Sequence, residues 1–112
     1  MKVITKGHKY SLQNFESKEE VQTIQFIKKV PKEDSYKLTE TTVVELVTLN
    51  DGTTNEEVIE MLIDRLNYLQ SKFPCKENDC AITHLQEANM WLYERTRKRI
   101  AQNVEGKQIA HK

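Results

Sequence analysis

Apolar residues alternate with polar ones through the first half of the chain and recur at three- and four-residue intervals through the second. Near the start, "KVITK" is a short candidate strand. "HKYSLQNF" sets Tyr10 and Leu12 against polar neighbours, and Phe15 breaks the register. "VQTIQFIKKV" places Ile24, Phe26 and Val30 in one parity until Pro31 ends the run. A helical turn at "SKEEVQTIQF" is the competing reading of where that segment starts. After "PKEDS", the run "YKLTETTVVELVTL" is rich in β-branched residues, with Thr42, Val44 and Leu46 facing one way and Val43, Glu45 and Val47 the other. Period-two patterning with one wet face predicts an antiparallel sheet of three or four strands.

"NDGTTNEEV" divides the chain. Asp51-Gly52 is a turn signal, and Thr54 with Glu57 has capping-box spacing, in which the threonine oxygen takes a free amide and the glutamate reaches back. A helix is expected from about Asn55 to Lys72, with Val58, Ile59, Leu62, Leu66 and Leu69 as its apolar stripe and Ile63 at the edge. "KFPCKEN" breaks it at Pro74. A second helix then runs from roughly Lys76 to Gln102 on a stripe of Ala81, Ile82, Leu85, Ala88 and Leu92. So short a connection forces an antiparallel pair. The expected fold is α+β: an N-terminal antiparallel β-sheet over 1–50, then a long C-terminal antiparallel helical hairpin over 54–106, in a single domain spanning 1–112.

The second helix is the longer, by lengths of roughly 27 and 40 Å at ~1.5 Å per residue. If Asn55 is level with Arg95, about three turns overhang. Over that stretch Arg95, Arg99 and Asn103 recur at i, i+4 and i+8, on or beside the line the apolar stripe had followed. An unpaired buried guanidinium is very costly. A carboxylate, water or an anionic ligand must therefore accept its hydrogen bonds, and the planar fork of arginine suits phosphate. The plainer reading is a basic last turn placed against the negative end of the helix dipole, with Glu94 and Lys98 as a surface pair. Trp91 reads as core or interface. Phe73, before Pro74, reads as a turn plug or as an aromatic face for a base.

Composition narrows the function. Lysine plus arginine is 17 and aspartate plus glutamate is 17, a balance that argues against a dedicated nucleic-acid binder and leaves room for a small anion. With 38% hydrophobic residues in 112, the core is modest, and a modest core favours oligomerisation. The start "MKVITKGHKY" has no apolar h-region, and no apolar run approaches the ~20 residues of a membrane span. Cys75 and Cys80, the two cysteines present, read as reduced thiols. His8, His84 and His111 have no metal-ligand spacing with them, and no phosphate-cradling glycine loop or carboxylate pair is visible. The chain reads as a non-enzyme without metal or cofactor.

The segments "TNEEVIEMLIDRLNYLQSKFPCKEN" and "AITHLQEANMWLYERTRKRIAQNVEG" carry the pattern TNE…L.DRL…FPC.EN…A…L.EA..WL..RT..R…VEG. This resembles the phage Thoeris anti-defence sponge family, which shares its hairpin with phage anti-CBASS sponges, and covers about half the chain. Where family members often have glycine before "VEG", this chain has Asn103, which suits a helix end nearly as well. The resemblance implies a host-cytoplasmic protein that binds a TIR-produced cyclic ADP-ribose isomer without degrading it. It also implies dimers or larger homo-oligomers with sites between subunits. Phosphates would fall to Arg95 or Arg99, adenine to Phe73, ribose hydroxyls to Asn78 or Glu105, and Asn103 continues the stripe. Phe73 and Arg99 lie at opposite ends of one hairpin, so a shared site requires two chains arranged about an antiparallel two-fold. The alternatives are a sponge for the cyclic di- or trinucleotides of CBASS and an adaptor dimer that binds no ligand.

Overall fold

A computed structural model describes residues 1–32 and 46–102. The expected strand residues Thr42, Val43, Val44 and Glu45 and the expected ligand residues Asn103 and Glu105 lie outside them. The strands are β1 (Lys2–Thr5), β2 (Lys9–Gln13), β3 (Val21–Gln25), β4 (Lys28–Pro31) and β5 (Leu46–Asn50), followed by the helices α1 (Asn55–Lys72) and α2 (Lys76–Gln102). The fold is α+β, with antiparallel strands first and a helical hairpin second. The chain divides into two compact units, one strand-built through Thr54 and one helical from Asn55.

In the strand unit, β1, β2 and β3 form an antiparallel sheet in that order, and β4 pairs antiparallel with β5. Gly7 turns β1 into β2 with φ 76°, a conformation that costs glycine nothing. Val3, Tyr10 and Ile24 are cross-strand partners, so they share a face, and Leu12 joins them by period two. The Tyr10 and Phe26 rings meet edge to face at 5.9 Å. Phe15 lies beyond β2, exposed, with the Lys18 ammonium 5.5 Å from its ring centre.

The strand expected across "VQTIQFIKKV" is two strands. Its amides change partner at the join: Phe26 N–H donates to His8 O at 2.7 Å, whereas Ile27 N–H donates to Thr53 O at 2.9 Å. Thr53 N–H returns a bond to Gln25 O at 2.8 Å. The segment just before α1 is thus stitched into the end of β3, and β4 departs toward β5.

Both helices have the expected bounds, and α1 begins directly after Thr54, the expected cap. The less exposed positions differ from a plain 3.6-residue stripe. In α2 the buried Ile82 and Asn89 and the half-buried Asn78, Leu85, Leu92, Thr96 and Arg99 follow alternating steps of four and three, with Ala81 and Glu94 half-buried beside them. In α1 the half-buried positions include Ile59, Ile63, Leu66 and Gln70. That spacing is the seam of two supercoiled helices. It explains two corrections: Ile63 is in the seam while Leu62 is 40% exposed, and Asn89 is buried where Ala88 was expected.

The turn is held by one side chain. Gln70 Nε2 donates to Cys75 O at 3.0 Å, and Cys75 N–H donates to Gln70 Oε1 at 3.0 Å. A side-chain amide here does the work of a backbone pair. Cys75 then caps α2, its Sγ accepting from Asn78 N–H at 3.4 Å. Gln70→Ala removes both reciprocal bonds and is expected to cost about 1–3 kcal/mol, at ~0.5–1.5 per bond. A thermal melt unchanged by the substitution would show that Pro74 alone sets the turn.

Candidate functional site

Glu60 and Tyr93 fix how the helices align. Tyr93 Oη donates to Glu60 Oε1 across the hairpin, and this bond, with the charges of Glu60, Glu56 and Glu57 nearby, raises the Tyr93 pKa. Five residues before Glu60, Asn55 is then level with about Lys98. The expected three-turn overhang shrinks to about one turn among the described residues, and Arg95 lies alongside α1 rather than beyond it.

The same pair marks one flank of the seam. At ~100° per residue, the opposite flank carries Leu62, Leu69 and Phe73 from the first helix and its turn, and Ala81, Ala88, Arg95 and Arg99 from α2. Because the helices are antiparallel, both apolar margins open to one side of the hairpin. Among the described hydrophobic residues only Ile82 is buried, and Phe73 is 78% and Leu62 40% exposed.

The candidate residues occupy this flank unequally. Asn78 is half-buried in the first turn of α2, its N–H tied to the Cys75 cap. Phe73 stands exposed but is rigidly carried: its N–H bonds Leu69 O at 2.8 Å, Pro74 follows it, and Gln70 pins the next residue. Arg99 is half-buried as the last member of the seam, whereas Arg95 is exposed beside it. Neither arginine has an ion-pair or hydrogen-bond partner among the described residues. One hairpin does not bring Phe73 and Asn78 together with Arg99: twenty helical residues separate Asn78 from Arg99, roughly 30 Å along α2.

Neighbouring charges are already engaged. Arg97 forms a two-bond fork onto Glu94, with Nη2 to Oε1 at 2.7 Å and Nε to Oε2 at 3.0 Å. The fork lowers the Glu94 pKa and raises that of Arg97. The expected Glu94–Lys98 pair is thereby corrected. Arg97 sits three residues on and offers a planar fork, and Lys98 acts on Glu94 only through its charge. Thr96, which interrupts the apolar seam, directs its Oγ1 to Leu92 O at 3.1 Å and so needs no partner outside its own helix.

Sequence reasoning missed Asn89. It is 6% exposed, and its Oδ1 is a buried side-chain oxygen without a hydrogen-bond partner. The steps of four and three through α2 were the signal that could have found it. No group of three or more metal-ligating side chains occurs among the described residues, and no helix there is long and apolar enough to cross a membrane.

The family model of the Acb2/Tad1 hairpin domain matches residues 32–97. The chain is also similar to a protein of Bacillus phage SBSphiJ7 named Thoeris anti-defense 1, at 53% identity over 57 residues. That alignment covers 50% of this chain and 40% of the phage protein, so the chain spans less than half the length of that relative.

Proposed function

This chain belongs to the Acb2/Tad1 hairpin-domain family, and on that premise we propose that it is a phage anti-defence sponge. It binds a TIR-produced cyclic ADP-ribose isomer in the host cytoplasm and withholds it from the Thoeris effector, leaving it chemically intact. The observation that carries this reading is Arg99. A half-buried arginine whose guanidinium has no partner among the described residues, on the flank that also holds Phe73, is a phosphate donor set without its acceptor.

The site is formed by two chains. The apolar margins of the hairpin flank are too exposed for a finished surface, and a second copy covers them. A two-fold that sets the turn of one hairpin against the α2 end of the other brings Phe73 and Asn78 of one copy to Arg95 and Arg99 of its partner, twice. Phe73 supplies an aromatic face for adenine, Asn78 an amide for ribose, and the arginines the pyrophosphate clamp. Asn103 and Glu105 complete the proposed set.

Thermal-shift measurement against a nucleotide panel tests the reading. At a ligand concentration 100 times Kd, native-state binding adds roughly 2.7 kcal/mol, which raises Tm by about 10 °C or more in a domain this size. Cyclic ADP-ribose isomers are expected to produce that rise, and the ligand is recovered unchanged after denaturation. A rise with cyclic di- or trinucleotides instead reassigns the protein to CBASS signals. No rise with either leaves an adaptor dimer.

A further inference from the structure

We propose that Gln70 is a positioning residue for the ligand: its side-chain amide, closed on both backbone groups of Cys75, fixes the backbone beneath the exposed Phe73 ring and holds that ring ready for a base. The inference rests on the nucleotide-sponge reading above and adds the residue that sets its preference for ligands with a base over ligands without one. Phe73 is 78% exposed, and among the described residues its ring meets no other ring and no cation. The fold gains little from where that ring stands, yet its backbone is held from both sides. On the α1 side, Phe73 N–H donates to Leu69 O at 2.8 Å. On the α2 side, Pro74 confines Phe73 to extended backbone, and Cys75 gives its N–H and its C=O to Gln70, each at 3.0 Å. The same clamp continues into α2, because Cys75 Sγ accepts from Asn78 N–H at 3.4 Å. Gln70 is half-buried and Cys75 exposed, so the fixed end of the clamp lies in the seam and the held end in solvent. An aromatic ring carried on a fixed backbone loses less freedom when a base stacks on it, and that saving appears as affinity. The clamp needs one donor and one acceptor on the same side chain, which an amide supplies and a carboxylate does not.

Calorimetric titration with two probes tests this: a cyclic ADP-ribose isomer, and pyrophosphate, which has the phosphates and no base. Phe73→Ala is expected to weaken binding of the isomer roughly 5- to 150-fold, the value of one base on an aromatic face, and to leave pyrophosphate binding unchanged. Gln70→Ala is expected to weaken the isomer by at least about 5-fold, again without effect on pyrophosphate. Added to Phe73→Ala it costs little more, because a residue that acts through the ring has nothing left to position. Gln70→Glu keeps the chain length and, should Gln70→Ala fail to fold, carries the test alone. Its carboxylate only accepts, so at pH 7 it binds the isomer as weakly as Gln70→Ala. As pH falls through the ordinary glutamate range, about 4.3, the carboxylic acid again offers a donor and an acceptor, and affinity recovers toward that of the parent at the same pH. If the parent binds the isomer and the Gln70 variants lower only the melting temperature, or weaken pyrophosphate equally, or add in full to Phe73→Ala, or show no recovery in acid, the clamp serves the fold alone and the sponge reading stands without it. A parent that does not bind the isomer removes both.

Discussion

Arg99→Ala is expected to weaken binding of a cyclic ADP-ribose isomer by about 10- to 150-fold while leaving the fold nearly intact. A charge-assisted hydrogen bond contributes roughly 1.5–3 kcal/mol, and each ~1.4 kcal/mol is a factor of ten. The fold changes little because Arg99 makes no ion pair among the described residues and stands at the last seam position, where the hairpin has little left to lose. Arg99→Lys recovers part of the affinity, since an ammonium supplies charge without the planar fork. Lys98→Ala is the control. It is exposed, lies on the far side of α2 by helical period, and influences Glu94 only through its charge, so its loss costs a few tenths of a kcal/mol at most. Calorimetric titration of the three variants, with melts on the same samples, separates the readings. If Arg99→Ala binds as tightly as the parent, the arginine belongs to the scaffold.

The contrast between Arg97 and Arg99 shows what the sequence could and could not disclose. Three arginines within five residues look alike in a string. Helical period separates them, and so does the acid three residues before Arg97, yet spacing alone pairs Glu94 with Lys98 as readily. Side-chain shape decided otherwise: the guanidinium closes two parallel bonds on a carboxylate, and an ammonium does not. The helix bounds were legible because capping chemistry, Pro74 and two unbroken apolar periods all agreed. The burial pattern within them was less so. A 3.6-residue stripe and a 3.5-residue seam differ by only ~20° per heptad, and a wide apolar stripe takes in both Leu62 and Ile63, and both Ala88 and Asn89, so period alone does not say which of each pair faces the partner helix. A polar residue in a seam was not expected from propensity, and its cost becomes visible only when its neighbours are known. The α2 overhang was misjudged because alignment across a hairpin depends on how the turn is tied, and the tie is Gln70, a residue with no turn propensity of its own.

The strand unit is less legible in the sequence for a similar reason. Alternation marks a strand but does not reveal that its amides change partner, as they do at Phe26 and Ile27. That crossing is closed by a segment more than twenty residues away, which no local pattern announces.

Gly52→Ala is expected to destabilise the strand unit by about 2–6 kcal/mol, a large share of the ~5–15 kcal/mol that holds a small protein folded. Asp51-Gly52 was legible as a turn, but the turn is not what demands glycine. Gly52 does not adopt a left-handed conformation. It lies against the end of β3, where an added Cβ would collide with Gln25 O and stand 2.6 Å from the Phe26 carbonyl carbon. Those are backbone atoms and cannot rotate aside, so the chain must retreat. Retreat strains or breaks the two bonds flanking Thr53, at 2.8 and 2.9 Å. Overpacking at ~1–3 kcal/mol and two hydrogen bonds at ~0.5–1.5 each give the estimate. Gly7 provides the opposite case: nothing lies within 4 Å of its Cβ position, but its φ of 76° is left-handed. Asparagine tolerates that conformation, so Gly7→Asn is expected to fold close to the parent, whereas Gly52→Asn fails as Gly52→Ala does. Hydrogen exchange at the Ile27 and Thr53 amides localises the damage, accelerating in the Gly52 variants and not in Gly7→Asn. Unchanged protection and melting in Gly52→Ala would mean that the segment before α1 can leave β3 without cost, and that the stitch at Thr53 does not hold the strand unit together.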